Sequence, residues 1–373
     1  MTQKDCISRR QTVAVAFVAI LSPLIRRFPR VLAETAGRTA WLSAPFSAIP
    51  LAAGIALGFL FFRRRQGPTS YATVLTDTLG KIPGRIVTLL YTIWVLFYAG
   101  FLLRSGAARF ISTVYPGAGP WLFITVSSLV CALAALGSLR AVARAAMIFR
   151  PLLIAVFAAA ILLTVKDIDF GELLPVTAAD LLPNGYAALK TVNVLSIAAF
   201  MTFLGDKVEG RLRVRDLAPW GAALLLIIAA MTVSSIGMFG PELTAKLTYP
   251  FFMLVRDVSI LGSLERAEPV VIALWVFSDF ILVSILLQIA GKNLRECFGC
   301  AETGTPPHFS DFSRGRWMLL LCVVLIAAAG LLAAPDVQTF ELFSETIIPL
   351  GNALFVFVLP LPVLVIGLLR GKI

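Results

Sequence analysis

Apolar residues in this chain run in long stretches divided by short polar punctuation. A helix needs roughly 20 apolar residues to cross a hydrocarbon core about 30 Å thick, so the pattern predicts about ten membrane-spanning helices. The first span starts near Arg10, is interrupted at Ser22-Pro23 and resumes from Leu24 to about Ala36; the second covers Trp41 to Phe62. After a short surface helix over Thr69–Leu79, the third span runs from Gly84 to Ser112, the fourth descends to Gly137, and the fifth climbs from Ala141 to Val165. The acidic segment Lys166–Asn184 reads as an outer loop with a short surface helix. The sixth span is Gly185–Leu204 and the seventh Leu217–Phe239. Pro241–Glu265 is too polar to span and too apolar for a free loop, so it reads as re-entrant or capping. Pro269–Ala290, Trp317–Ala333 and Thr346–Leu369 complete the set.

Composition strengthens this reading. Hydrophobic residues make up 59% and charged residues 14%, with a mean hydropathy of +0.90, against about a quarter charged in soluble domains. The basic residues fall mainly at one set of span ends: Arg63-Arg64-Arg65, Lys207 to Arg215, Lys292/Arg295, Arg314/Arg316 and Arg370/Lys372. Basic residues are held on the cytoplasmic side, which places the N-terminus and the C-terminus there. Topology and anionic lipid account for the net charge of +11, and no basic groove-reading motif suggests a nucleic acid. Near the start, Arg26, Arg27 and Arg30 interrupt the apolar run and no small-residue cleavage site follows, so a retained helix is expected. Cys297-Phe-Gly-Cys300 has the spacing of a metal or redox pair, but there is no second such pair and the sole histidine is His308. Four N/S ligands are needed for structural zinc, so no metal and no cofactor are expected.

Polar residues inside the spans are the candidates for function. Pro23 removes a backbone donor, and freed backbone groups at membrane depth survive only against protein or a cavity. The first span is therefore expected to be discontinuous at Ser22-Pro23, with a simple proline kink as the plainer alternative. Arg26 and Arg27 are then expected to face protein, acidic loop residues or an outward vestibule. The sixth span carries Lys190, Asn193, Ser196 and Thr202, either facing a cavity or bonding between helices. Asp279 lies mid-way along the eighth span, as a proton or cation site or as a hydrogen-bonded buried acid. Tyr91, Trp94 and Tyr98 form a stripe on one face of the third, a pattern that packing alone also produces. Glu265, Arg266 and Glu268 are expected to clasp the re-entrant segment over the outer mouth, or to be a solvated helix end.

A broken first span, a polar sixth span opening a second set of five, and a re-entrant segment after the seventh match an inverted-repeat transporter layout. The expected fold is an all-α integral membrane protein with a LeuT-like 5+5 repeat and discontinuous first and sixth spans. It forms one transmembrane domain over residues 1–373, with repeats at about 9–165 and 185–370. More local pieces resemble the B subunit of the spore germinant receptors, a family within the amino acid/polyamine/organocation superfamily. They are Ile7-Ser8-Arg9-Arg10-Gln11, Phe28-Pro29-Arg30, Ala36-Gly37 to Trp41-Leu42, Leu79-Gly80-Lys81 with Gly84, and Arg104. The stretch from Tyr249-Pro250 to Leu264-Glu265-Arg266-Ala267-Glu268, with Trp275, is the most family-specific.

The resemblance implies a multi-pass subunit in the inner membrane of a bacterial spore, binding a small nutrient such as an amino acid and passing the signal to A and C subunits. A proton- or cation-coupled amino acid transporter is the alternative, and no catalytic constellation supports an enzyme. The expected ligand site is a midplane pocket of Ser22, Leu24, Trp94, Tyr98, Ala199, Phe200, Thr202, Ser278 and Leu282, with Pro23, Pro29, Glu265, Arg266, Glu268 and Asp279 in structural or coupling roles. Two departures from the family bear on it. Ser22-Pro23-Leu24 stands where many relatives carry glycines, and Phe200 and Thr202 replace the family's Gly and Glu. Either the ligand is small or apolar, or the pocket no longer takes one.

Overall fold

The computed structural model describes residues 5–65, 67–115, 117, 119–257, 268–299, 314–334 and 336–373. Its helices are α1 (Arg9–Ala36), α2 (Ser43–Phe61), α3 (Tyr71–Leu79), α4 (Lys81–Thr113), α5 (Pro120–Leu136), α6 (Leu139–Thr164) and α7 (Leu181–Leu195). They continue with α8 (Val214–Lys246), α9 (Pro250–Asp257), α10 (Glu268–Cys297), α11 (Arg314–Leu332), α12 (Val337–Leu342), α13 (Ile348–Ala353) and α14 (Pro360–Leu369). Seven helical stretches among the described residues are long and apolar enough to cross a membrane. The first of them, Arg9–Phe61, holds both α1 and α2, and the shorter apolar helices Pro120–Leu136 and Trp317–Leu332 complete the ten-span layout. The outer surface is apolar: Ile93, Leu129, Ile148, Leu162, Leu226 and Val324 are exposed, while Ser22, Thr92, Ser105, Thr191, Ser235 and Ser278 are buried. This arrangement suits lipid as the solvent, because small and hydroxyl side chains let helices pack closely and bond to one another.

The expected break in the first span is corrected by the structure. α1 is one 28-residue helix with Pro23 and Pro29 inside it, not two half-helices. The reason lies on α10. Ser278 Oγ accepts a 2.9 Å hydrogen bond from Ser22 N–H and donates to the Val18 carbonyl, the pair that an ideal helix joins directly. A hydroxyl supplied by another helix thus bridges the ladder where proline strains it. α1 is buried along most of its length, so protein surrounds every turn that the prolines disturb.

The sixth span does change form. α7 gives way at Ser196 to a 3-10 helix that runs to Lys207, far longer than the three or four residues typical of that geometry. The seventh span turns at Gly240, whose φ of 72° and ψ of 162° split α8 just before Pro241; a positive φ of this kind favours glycine. The last span contains π-helical turns at Phe343–Ile347 and Leu354–Val358. Each lies just ahead of a proline, Pro349 or Pro360, which withholds a backbone donor. At the basic end, Ile7–Ser8 (β1) pairs in parallel with Val208–Glu209 (β2), tying the N-terminal segment to the loop after the sixth span.

α4 and α11 cross at glycines. A β-carbon on Gly100 would lie 2.6 Å from Ala329 Cβ and 2.8 Å from the Ile326 carbonyl. Gly100→Leu is expected to cost about 1–3 kcal/mol or more through overpacking, seen as a lower melting temperature of the purified protein. Gly185→Ala is the control, since nothing lies within 4 Å of its β-carbon position; equal melting of the two variants would show that the crossing tolerates separation.

Candidate functional site

A buried polar cluster joins α1, α4 and α10. Ser22 Oγ donates to Asp279 Oδ1, Arg109 Nη2 donates to Asp279 Oδ2, and the same Arg109 nitrogen lies 3.4 Å from Ser22 Oγ. The side chains of Arg109 and Asp279 are 4% and 17% exposed, so the pair sits in a medium that screens little. Trp275 packs its ring 5.4 Å from the Arg109 guanidinium, a cation–π arrangement. Gly106 keeps room for the carboxylate, because a β-carbon there would lie 3.4 Å from Asp279 Oδ2. One turn beyond Ser22, Arg26 is buried, donates to Ser105 Oγ and lies 6.0 Å over the Phe101 ring. No carboxylate among the described residues is within ion-pair distance of Arg26, and its Nε has no hydrogen-bond partner. Tyr98 is buried within electrostatic reach of both Arg26 and Asp279.

The residues expected to share one pocket fall in separate places. Ser22 and Ser278 belong to the cluster with Asp279, and Tyr98 borders it. Leu24 and Leu282 are fully buried core residues. Trp94 turns toward the last span, donating from Nε1 to Asn352 Oδ1 at 3.1 Å and stacking on Phe355 at 5.4 Å between ring centres. Ala199, Phe200 and Thr202 line a cavity of about 870 Å³ together with residues of α1, α2, α8 and the last span. None of Ser22, Leu24, Trp94, Tyr98, Ser278 or Leu282 lines it. Phe200 is buried in its wall.

The expected clasp at Glu265, Arg266 and Glu268 involves Glu265 and Arg266, which lie outside the described residues, and Glu268, which begins α10. Elsewhere, ion pairs tie α1 to the start of the last span. Arg27 reaches Glu341 at 3.3 Å and Glu345 at 3.1 Å, and Arg30 approaches the same two acids. Arg27 therefore faces acidic side chains and Arg26 a buried hydroxyl, both against protein rather than lipid, as the cost of a guanidinium in hydrocarbon demands. Toward the basic end, buried Lys292 contacts Asp206 at 3.0 Å, Glu296 at 2.6 Å and the Phe203 carbonyl at 3.0 Å.

Sequence reasoning missed Arg109, Ser105, Asn352 and the Lys292–Asp206 pair. A signal existed for the first: Arg109, like Arg104, is a charge inside a largely apolar span, and such a charge needs a partner such as the mid-span acid Asp279. Nothing local marks Ser105 or Asn352, whose roles depend on which helix lies opposite.

This architecture defines a multi-pass, all-α membrane protein with a LeuT-like fold. A sodium-coupled sialic acid symporter, solved substrate-bound and outward-open, shares the fold with a TM-score of 0.56 over 94% of this chain and 79% of its own, at 12% identity. The sequence profile of the family described as "Spore germination protein" matches residues 6–336. The chain belongs to that family. It is also similar to the provisionally named spore germination protein YfkT of Bacillus subtilis (strain 168), 27% identical over 283 residues, which cover 74% of each chain.

Proposed function

We propose that this chain is the membrane-embedded, B-type subunit of a spore germinant receptor, binding a small nutrient at the cluster between α1, α4 and α10. Arg26 carries this reading. It is a buried guanidinium that keeps a hydroxyl partner in Ser105 but no carboxylate among the described residues, beside an α1 turn held by Ser278. Such a group suits the carboxylate of an amino acid or a similar nutrient, because a desolvated guanidinium binds carboxylates strongly. The nutrient signal would pass to A and C subunits in the spore inner membrane. Both termini would face the cytoplasm, with the two repeats at about 9–165 and 185–370.

A cation-coupled transporter is the second reading. It is favoured by the oxygen-rich contact of Ser22, Ser278 and Asp279 between α1 and α10, and opposed by Arg109, which already neutralises that acid. Reconstitution separates the two. Protein in liposomes is expected to bind radiolabelled amino acid saturably without accumulating it, and Arg26→Gln is expected to weaken binding roughly tenfold or more, as loss of a charged hydrogen bond does. Accumulation driven by a sodium or proton gradient and abolished by Asp279→Asn would establish transport instead. Binding unchanged in Arg26→Gln would move the ligand away from this cluster.

A further inference from the structure

The cavity beside the sixth span differs in chemistry from the polar cluster. Its wall is formed by apolar side chains such as Ile55, Phe61, Val192, Leu195, Trp220 and Leu361. Most hydroxyls that reach it are committed to backbone carbonyls: Thr12 donates to Ser8, Thr69 to Gly67, Tyr91 to Phe355, Ser196 to Asn193 and Thr202 to Ala199, while the Tyr71 hydroxyl and Trp220 Nε1 have no hydrogen-bond partner among the described residues. Two neutral groups, the Tyr71 hydroxyl and Trp220 Nε1, do not offset the desolvation of both charges of a zwitterionic nutrient among these apolar walls. The volume of about 870 Å³ lies at the upper end of the roughly 300–1,000 Å³ typical of small-molecule sites.

The mouth is cationic. Arg63, Arg64, Arg65 and Arg211 all border the cavity, and of these only Arg65 meets a carboxylate, Asp77, among the described residues. Arg64 spends one nitrogen on the Gly371 carbonyl and Arg211 one on the carbonyls of Phe62 and Arg63, which leaves further donors on each guanidinium. Enrichment of basic residues at one membrane face accounts for the charges. It does not account for an apolar chamber opening between them, lined by Leu57, which is itself 39% exposed.

We propose that this cavity is a lipid site, holding an acyl chain of an anionic phospholipid whose phosphate rests among Arg63, Arg64 and Arg211. The apolar depth matches the chain and the uncompensated arginines match the headgroup, in the solvent that surrounds the protein. Because the 3-10 segment of the sixth span forms one wall, an occupied site braces that segment from the membrane side. The site is distinct from the nutrient cluster and does not depend on it.

The test is native mass spectrometry of the full chain, exchanged against phosphatidylglycerol, phosphatidylcholine and inorganic phosphate. Phosphatidylglycerol is expected to be retained roughly tenfold better than phosphatidylcholine, since each basic side chain near a lipid surface adds measurably to anionic binding. The triple substitution Arg63→Gln, Arg64→Gln, Arg211→Gln is expected to bring the two lipids to within about twofold. Gly58→Trp fills the chamber, because nothing lies within 4 Å of a β-carbon at that position, and is expected to abolish retention. Leu57→Trp is made in parallel, so that misfolding of one variant leaves the other as the test. Equal retention of both lipids by the unaltered protein, displacement by inorganic phosphate, or full retention by a folded chamber-filling variant would each overturn the proposal.

Discussion

Asp279→Ala is expected to destabilise the protein by about 3–5 kcal/mol, the range for breaking a buried ion pair from one side. The cost arises on Arg109, whose side chain is 4% exposed and would lose this carboxylate from a desolvated site that it shares with Ser22 and Trp275. Loss of the carboxylate also removes the acceptor for Ser22 Oγ, at the turn of α1 that Ser278 bridges. Thermal or denaturant unfolding in detergent measures the effect. The paired substitution Arg109→Met, Asp279→Leu is the informative companion. Removing both charges together takes away the desolvation penalty with the attraction, and such replacements are often neutral or stabilising. If Asp279→Ala alone melts like the unaltered protein, water reaches the pair and it is not a structural anchor. If the double variant melts normally yet binds no nutrient, the pair serves the ligand rather than the fold.

Lys292→Met is expected to release the 3-10 half of the sixth span. Lys292 Nζ donates to the Phe203 carbonyl and is flanked by Asp206 and Glu296, so one buried ammonium holds the 3-10 segment Ser196–Lys207 against α10. Methionine keeps the apolar stem while deleting the charge, leaving two carboxylates near each other and the Phe203 carbonyl with the Ser70 hydroxyl as its remaining side-chain donor. The acids are 33% and 36% exposed, so water takes up part of their loss. The expected cost is therefore about 2–3 kcal/mol, below the range for a fully buried pair. Hydrogen exchange read peptide by peptide should show faster exchange over Ser196–Lys207, with α4 and α11 unchanged. Unaltered protection of the 3-10 segment would mean that packing of Phe200 and Phe203, both buried, holds it without the lysine.

Much of the architecture was legible in the residues because a bilayer imposes a local rule. With about 1.5 Å of rise per residue and a hydrocarbon core about 30 Å thick, each span must carry its own apolar length, and that length needs no knowledge of neighbours. The ten spans, the surface helix before α4 and the interruption at Pro241 follow from such local signals, whereas the discontinuity of the sixth span was expected from the inverted-repeat layout. The family was readable for the same reason, since the order of short motifs is a property of the chain. That Arg26 and Arg27 must face protein was also legible, as no guanidinium is stable against lipid tails.

Which protein groups they face was decided by the tertiary structure. Ser22-Pro23 marks a weak point in α1 from any viewpoint, but whether the helix parts depends on a partner, and that partner is a hydroxyl 256 residues away. The same holds for the candidate site. Spacing put Trp94 and Tyr98 on one helix face and Ser278 and Leu282 on another, yet the packed bundle turns Trp94 to Asn352, buries Leu282 in the core and gives Ser278 to the backbone of α1. Helical spacing fixes which side chains share a face, while the neighbour that a face meets is set by how ten helices cross. A polar group in a bundle finds its function in that neighbour, so the chain alone determined the spans, their charge and the family, and only the packed structure decided which charges are paired, which helix stays whole and where space remains for a ligand.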